Sequence, residues 1–352
     1  MICPHCEHSL LRKERTGNRC GYCRRLYALD PKTNRLKLSD LRVRRVVAAL
    51  SAGGRVTVAP GQLWYALSRR SLRTSNLGAE WMPLLAVLGT LLLLVGALVP
   101  FVPALLTGAA LLLLAVTVLL ARAAGLGRGV PTMDRAAFRS EVLAPWIRVY
   151  GELPPGMVDE SAREAPAPGP PSSATRPTGV LLCPDPSVTA FLRAEGVPEQ
   201  YGLALAGSVN AAVALAPDGP VIVLHDADAH GALLVLRARE AFPGSRVVDA
   251  GLPVHRVYGL AHAVPVRDRW RRPDATARRE LTAVGGLSDA QLRWLGRGWG
   301  FPLVGLPPAR LLEVVARCAG RVTGRPDPAH AGAVGLGFLT WPSAGTAPGG
   351  QG

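Results

Sequence analysis

The sequence predicts a multi-domain fold: a small four-cysteine module followed by short helices, a two-helix transmembrane hairpin, and a C-terminal α/β domain with a mostly parallel sheet. Three observations carry this reading. Four of the six cysteines fall within the first 23 residues. A run of 41 uncharged residues, Trp81 to Ala121, is interrupted by Pro100 and Pro103. From Gly179 to Arg321, short apolar runs alternate with helical patterns, as strands and helices do in a parallel sheet.

The N-terminal cysteines form two pairs, Cys3-Pro4-His5-Cys6 and Cys20-Gly21-Tyr22-Cys23, with thirteen residues between them. Two residues between cysteines let both thiolates of one tight turn reach one ion, and two such turns complete a tetrahedral site. Cys3, Cys6, Cys20 and Cys23 are therefore expected to hold structural zinc, with Gly21 allowing the backbone of its turn. His5 and His8 are competing ligands or exposed residues of the turns. A saturated four-thiolate shell leaves no position for a substrate. With its paired cysteines at this spacing, the segment 1–30 resembles a zinc ribbon. That resemblance implies a small β-rich module, with Arg12–Arg19 as a hairpin arm and Arg24–Leu29 as a returning strand. Zinc ribbons bind nucleic acid, bind proteins or staple a terminus, and all three uses stay open here.

Segment 31–80 reads as a basic juxtamembrane region. Ser39 stands where it would cap a helix over Asp40–Leu50, whose Leu41, Val43, Val46, Val47 and Leu50 are apolar. Arg55–Ala59 reads as a short strand, and Pro60 and Gly61 open a second helix. Arg42, Arg44 and Arg45 suit the phosphate of lipid or nucleic acid, or simply a solvated helix face.

The segment 81–121 is the expected hairpin. A spanning helix needs about 20 apolar residues, and Trp81–Val99 and Ala104–Ala121 supply two such lengths. Leu91–Leu94 and Leu111–Leu114 leave no polar face, the mark of a helix in lipid or deep in a core. Arg69, Arg70 and Arg73 precede the run and Arg122 and Arg128 follow it. Cytoplasmic flanks are rich in Lys and Arg, so a two-span protein of the cell membrane with both termini cytoplasmic is expected. A reducing compartment favours metal over disulfides. Topology also accounts for much of the net charge of +15, since residues 1–80 alone hold 16 Lys+Arg against 5 Asp+Glu. Arginine outnumbers lysine 37 to 3. That ratio fits GC-rich coding, as in an actinobacterium, and weakens a nucleic-acid reading of the charge.

Segment 122–152 contains an amphipathic helix over Asp134–Tyr150, placed either at the membrane surface or against the C-terminal module. Segment 153–178, rich in Pro, Ala, Ser and charge, reads as a disordered tether. The tail 325–352 reads as flexible. In the α/β domain, 179–324, strands are expected at Gly179–Cys183, Tyr201–Ala206, Pro220–His225 and Ser245–Ala250. Helices are expected at Ser187–Glu195, Val209–Ala214, His230–Phe242, Leu287–Trp294 and Pro308–Val322. Val254–Val266 reads as extended.

One chemical motif stands out, Leu224-His225-Asp226-Ala227-Asp228-Ala229-His230-Gly231, just past a buried strand and just before a helix. Ligands of α/β sheets gather at the carboxyl ends of strands, and paired carboxylates suit Mg²⁺. Asp226-x-Asp228 followed by Gly231, with this order of elements, makes residues 179–252 resemble a TOPRIM domain. That resemblance implies Mg²⁺ on the two aspartates and phosphoester chemistry on nucleic acid. The family places a catalytic Glu directly after its first strand, and here Cys183-Pro184-Asp185 stands instead, so Asp185 is the remaining candidate and the implied set is degenerate. The alternative for Asp226 and Asp228 is a helix cap and a loop residue. The expectation is a non-catalytic, membrane-anchored adaptor or sensor that contacts the lipid bilayer and a protein partner, with no small-molecule substrate identified. A Mg²⁺-dependent enzyme or a nucleic-acid-binding protein is the alternative.

Overall fold

The computed structural model describes residues 1–74, 81–99, 102–160, 177–215, 217–260, 262–283 and 285–325. The tail beyond Arg325 and residues 161–176 of the expected tether lie outside them. After the cysteine module come α1 (Asp40–Leu50) and α2 (Pro60–Arg73), then α3 (Met82–Leu98) and α4 (Val102–Ala123). The next helical stretch is α5 (Arg135–Phe138), a π-helical segment (Arg139–Leu143) and α6 (Ala144–Tyr150). The α/β part runs β1 (Gly179–Leu182), α7 (Pro186–Ala194), α8 (Val197–Tyr201), β2 (Leu203–Ala206), α9 (Val209–Ala214), β3 (Val221–Val223), α10 (Ala229–Ala241) and β4 (Val247–Asp249). It ends with α11 (Val254–Val257), β5 (Val266–Arg267), α12 (Ala275–Ala283), α13 (Asp289–Gly296), β6 (Trp299–Gly300) and α14 (Pro308–Thr323).

Strands β1 to β4 form one all-parallel sheet in the order β2-β1-β3-β4. Side chains alternate across it, as a two-residue period requires. Val180, Leu182, Val221 and Val223 meet Ala212 of α9 and Val235 and Ala238 of α10 on one face. Leu181 and Ile222 face the other way, into a core shared with α2, α7 and α14. A separate antiparallel pair, β5 and β6, lies beyond, where the sequence pattern suggested no hairpin. Val254–Val257 is a helical turn, not extended chain.

The segments before and after the helix pair share this second core. Helix α2 buries Leu63, Trp64, Tyr65, Leu67 and Leu72. Its Trp64 Nε1 donates to the Met133 carbonyl (2.8 Å) and its Tyr65 hydroxyl to that of Val264 (2.8 Å). Phe138, Val142 and Trp146 are buried in the same core, so the amphipathic stretch packs on the protein rather than lying as a free surface helix. Residues 153–160 are not a tether. Val58 bridges Met157, and Glu160 accepts from Ser187 and pairs with Arg139. Beyond that one bridge, Arg55–Ala59 makes no strand, and Glu195 Oε1 accepts from both the Thr57 amide and hydroxyl (2.6 Å each).

The N-terminal module is joined to this body by Asp40. Ser39 occupies the cap position of α1 without a side-chain capping bond. Asp40, fully buried, instead accepts from the amides of Ala28 (2.9 Å) and Leu29 (2.8 Å) and from the Tyr150 hydroxyl. Arg44 is also used internally, its guanidinium lying over the Tyr150 ring at 5.1 Å.

Helix α4, at 22 residues, is long and apolar enough to cross a membrane; α3, at 17, is apolar but shorter. Its rise of about 25 Å falls under the about 30 Å of a hydrocarbon core. The helix fills the expected first span to within one residue at each end and stops before Val99, whose extended backbone precedes Pro100. The two helices pack closely, with glycines at the contact. A Cβ on Gly108 would stand 2.8 Å from the Gly89 carbonyl oxygen, so no larger residue permits this approach. Their outer faces are bare: Leu84, Leu98, Leu106 and Leu113 are each at least two-thirds exposed.

Replacing Asp40 by Ala leaves two buried amides without acceptors and is expected to cost about 2–3 kcal/mol, against about 1 kcal/mol for Tyr150→Phe. Denaturant unfolding of the two variants measures this, and equal losses would mean that Asp40 does not organise the junction.

Candidate functional site

Two turns of matching design build the cysteine cluster. In the first, the Cys3 amide donates to the His8 carbonyl (2.9 Å) and the Glu7 amide to that of Cys3 (3.1 Å). In the second, seventeen positions on, the Cys20 amide donates to Arg25 (3.0 Å) and the Arg24 amide to Cys20 (2.9 Å). The left-handed position of each turn is Glu7 (φ 57°) and Arg24 (φ 61°), not glycine. Gly21 serves a different need, because a Cβ there would stand 2.8 Å from the Glu14 carbonyl oxygen. The expected hairpin arm is two short 3-10 turns, Arg12–Glu14 and Thr16–Asn18, and the returning strand is a single bridge between Arg19 and Leu26.

The four sulfurs lie within 4.8 Å of one another. Cys3 Sγ and Cys23 Sγ are 3.8 Å apart, as are Cys6 Sγ and Cys20 Sγ. A tetrahedron with metal–sulfur bonds of about 2.3 Å has edges of about 3.8 Å, whereas a disulfide brings sulfurs to about 2.05 Å. The cluster is therefore compatible with one metal ion. Burial pushes the Cys3 thiol up to about 12. Burial also acts on Cys20, but the amides of Cys23 and Tyr22 outweigh it and bring that thiol down to about 7. His5 and His8 are outside the cluster. His5 Nε2 donates to the Leu26 carbonyl (2.8 Å), and His8 stacks on Tyr22 at 4.5 Å, so each ties one turn to the other.

The second candidate lies at the carboxyl ends of β1 and β3, where the strand order reverses. A cavity of about 310 Å³ opens there, lined by Asp185, Asp226, Asp228, His230, Arg135 and Arg271 among others. The three predicted aspartates thus share one cleft. Each already has partners. Asp185 caps α7 through the Ser187 amide (2.9 Å) and pairs with Arg135 (2.7 Å). Asp228 caps α10 through the Gly231 amide (2.7 Å). Asp226 accepts from the Leu303 amide (2.8 Å). Arg271 Nη1 stands 2.8 Å from Asp226 Oδ2 and 3.0 Å from Asp228 Oδ2, bridging the two carboxylates. Burial and then the Asp228 charge push the Asp226 carboxyl up. Burial opposes the Arg271 charge, but the two carboxylates outweigh it and hold the guanidinium charged. Among the described residues, the cysteines are the one set of three or more such ligands gathered around a point, and Asp185 does not join Asp226 and Asp228 in another.

Behind this loop, His225 is buried. Its Nδ1 bonds the Asp226 carbonyl (2.7 Å) and its Nε2 the Asp249 carboxylate (3.0 Å). Both partners are acceptors, so both ring nitrogens carry protons. Burial works against that charge, but the bonds to Asp249 and Asp226 outweigh it and raise the histidine pKa. Burial likewise opposes ionised Asp249, and the bond from His225 outweighs it and lowers that pKa. A Cβ on Gly251 would lie 2.2 Å from the imidazole, which is why glycine closes the loop.

The chain has no significant match among protein families, curated proteins or solved structures. Its chemistry is therefore argued from its own residues. Arg271, the residue that decides the aspartate pair, carries no sequence signal of that role. It is 45 positions from Asp226, too far for a local pattern to pair the two.

Cys6→Ser is expected to lower bound metal from about one equivalent per chain to near none, by elemental analysis of purified protein. The His225–Asp249 pair also has a pH signature. The stability that the charged histidine contributes is full below its ordinary pKa of 6.5 and fades as pH rises through the higher folded value. The stability that the ionised aspartate contributes is full above its ordinary 3.8 and fades as pH falls through the lower folded value. The stability gap between wild type and His225→Gln should thus be widest between those two pH values, as melting temperatures in detergent across pH would record.

Proposed function

We propose that the protein is a non-catalytic adaptor or sensor anchored in a membrane, which presents a zinc-stapled cytoplasmic body to a protein partner. The observation that carries the non-catalytic reading is Arg271 seated between Asp226 and Asp228. A guanidinium there supplies the counter-charge that Mg²⁺ would bring to an enzyme, and Asp185 is committed to Arg135 and to a helix cap. The three carboxylates that would hold or assist a metal here are each engaged by an arginine or a backbone amide.

Zinc is the metal that a closed set of four thiolates at tetrahedral separation favours. The shell is saturated by protein, so its role is to fold the first 30 residues. Anchoring is supported by the exposed leucines of α3 and α4, which would otherwise sit in water. Two spans follow if α3, which reaches the lower end of the spanning range, crosses with α4 as a glycine-packed pair. The arginines on both flanks then put both termini in the cytoplasm. A TOPRIM-like phosphoester enzyme is the competing reading, favoured by the position of the cavity at the sheet's switch point.

Purified full-length protein with Mg²⁺ and DNA separates the two. No hydrolysis is expected, together with recovery of a stoichiometric protein partner in pull-downs from native membranes. Hydrolysis that Asp226→Ala abolishes would establish the enzyme instead.

A further inference from the structure

A second cavity, of about 910 Å³, opens between residues 130–137 and the segments around β5 and β6. Its walls hold six arginines, Arg35, Arg135, Arg267, Arg269, Arg271 and Arg272, against the two aspartates Asp134 and Asp268. Part of this charge is answered. Arg35 pairs with Glu141 (3.2 Å), Arg135 with Asp185, and Arg271 with the Asp226–Asp228 pair. Asp134 directs its carboxylate to the Ala137 amide as the cap of α5. Arg267 and Arg272 make no ion pair among the described residues. Arg267 is held in place by the Trp299 ring, 5.7 Å below its guanidinium, and by the Arg297 carbonyl.

The cavity sits at the root of the helix pair. The Gly129 amide donates to the Leu72 carbonyl (2.9 Å), and the Arg267 amide donates to the Gly129 carbonyl (2.7 Å). The last turn of α2, the chain returning from α4, and the strand carrying Arg267 are thereby joined side by side. Val130, which lines the cavity, is seven residues beyond the end of α4, at most about 25 Å of chain. Val130, Pro131 and Val266 add apolar wall to the basic one.

We propose that this cavity takes the phosphate headgroup of an anionic lipid, with Arg267 and Arg272 donating to its oxygens. Planar guanidinium groups suit a phosphate in paired hydrogen bonds. The chemistry alone would also take a soluble phosphate. The Leu72–Gly129–Arg267 hydrogen bonds, which join the cavity wall to the chain entering and leaving the helix pair, and the apolar part of that wall favour the lipid. The inference rests on the membrane-anchored reading.

The test uses the full chain purified in detergent and native mass spectrometry with phosphatidic acid, phosphatidylcholine or inorganic phosphate. Wild type should retain phosphatidic acid over phosphatidylcholine, and Arg267→Gln with Arg272→Gln should reduce that preference about tenfold or more. Arg267→Lys with Arg272→Lys keeps the charge and loses the paired geometry, so its preference should fall by less. It also decides the matter if the glutamine pair does not fold. Arg310→Gln with Arg317→Gln, on α14 and outside the cavity, removes the same charge and should change nothing. Unchanged preference in both Arg267/Arg272 pairs, or an equal loss in the α14 pair, overturns the proposal. Inorganic phosphate binding as tightly as phosphatidic acid would overturn the lipid assignment. Recovery of the chain in the soluble fraction without detergent would overturn the membrane reading itself, whereas a membrane-bound chain with no headgroup preference overturns only this site.

Discussion

Helix α2 is buried along most of its length, and the arrangement of the whole body depends on that burial. Its composition is not strongly apolar, with Gln62, Ser68, Arg69 and Arg70 among Leu63, Trp64, Tyr65 and Leu67. It lies against the N-terminus of α7, where its Gly61 amide donates to the Ser187 hydroxyl at 3.0 Å. Through Trp64 it holds the chain returning from the α3–α4 pair, and through Tyr65 it holds the segment leading to β5. Segments on both sides of the helix pair therefore fold onto the α/β sheet as one core. The helix that precedes the apolar pair is in this way also the internal strut of the body.

That arrangement changes what the charged residues do. Arg135 enters from the segment after α4 and neutralises Asp185 at the end of β1. Arg271 enters from beyond β5 and bridges Asp226 and Asp228 at the end of β3. The switch point of the parallel sheet, where α/β proteins commonly bind ligands, is thus lined by complementary internal charges. Ion pairs between buried carboxylates and these partly exposed guanidinium groups cost desolvation and add little net stability. Their consequence is specific: the carboxylates are held in hydrogen-bonded positions with a resident cation of their own. Arg267 and Arg272, by contrast, face a second cavity without ion-pair partners among the described residues.

Much of this was legible beforehand, and the reason is locality. Two CxxC turns bring their sulfurs together because each turn is set by a few consecutive residues. The four strands and the helices between them follow from two-residue and 3.6-residue periods, and most lie within two or three positions of their expected limits. The aspartate loop falls at a strand end because a buried apolar run must stop where polar groups begin. Errors came where a local pattern had two outcomes. Arg12–Arg19 carries enough polar and turn-forming residues for a hairpin, yet it closes as two 3-10 turns once Gly21 packs on Glu14. Ser39 has the chemistry of a cap, yet the neighbouring Asp40 is drawn inward by the amides of Ala28 and Leu29.

The amino-acid order determines the cysteine pairs, the apolar run, the flanking arginines and the alternation of strand and helix, because each depends on neighbours a few positions away. Contacts between distant residues determine the rest. Whether Asp226 and Asp228 meet a metal or a guanidinium depends on Arg271, more than 40 positions downstream. Whether Asp134–Tyr150 rests on lipid or protein depends on a core built from segments that flank it on both sides. The difference is physical: a helix period or a two-residue turn constrains its own stretch of chain, while the partner of a buried charge is settled only when the core closes around it.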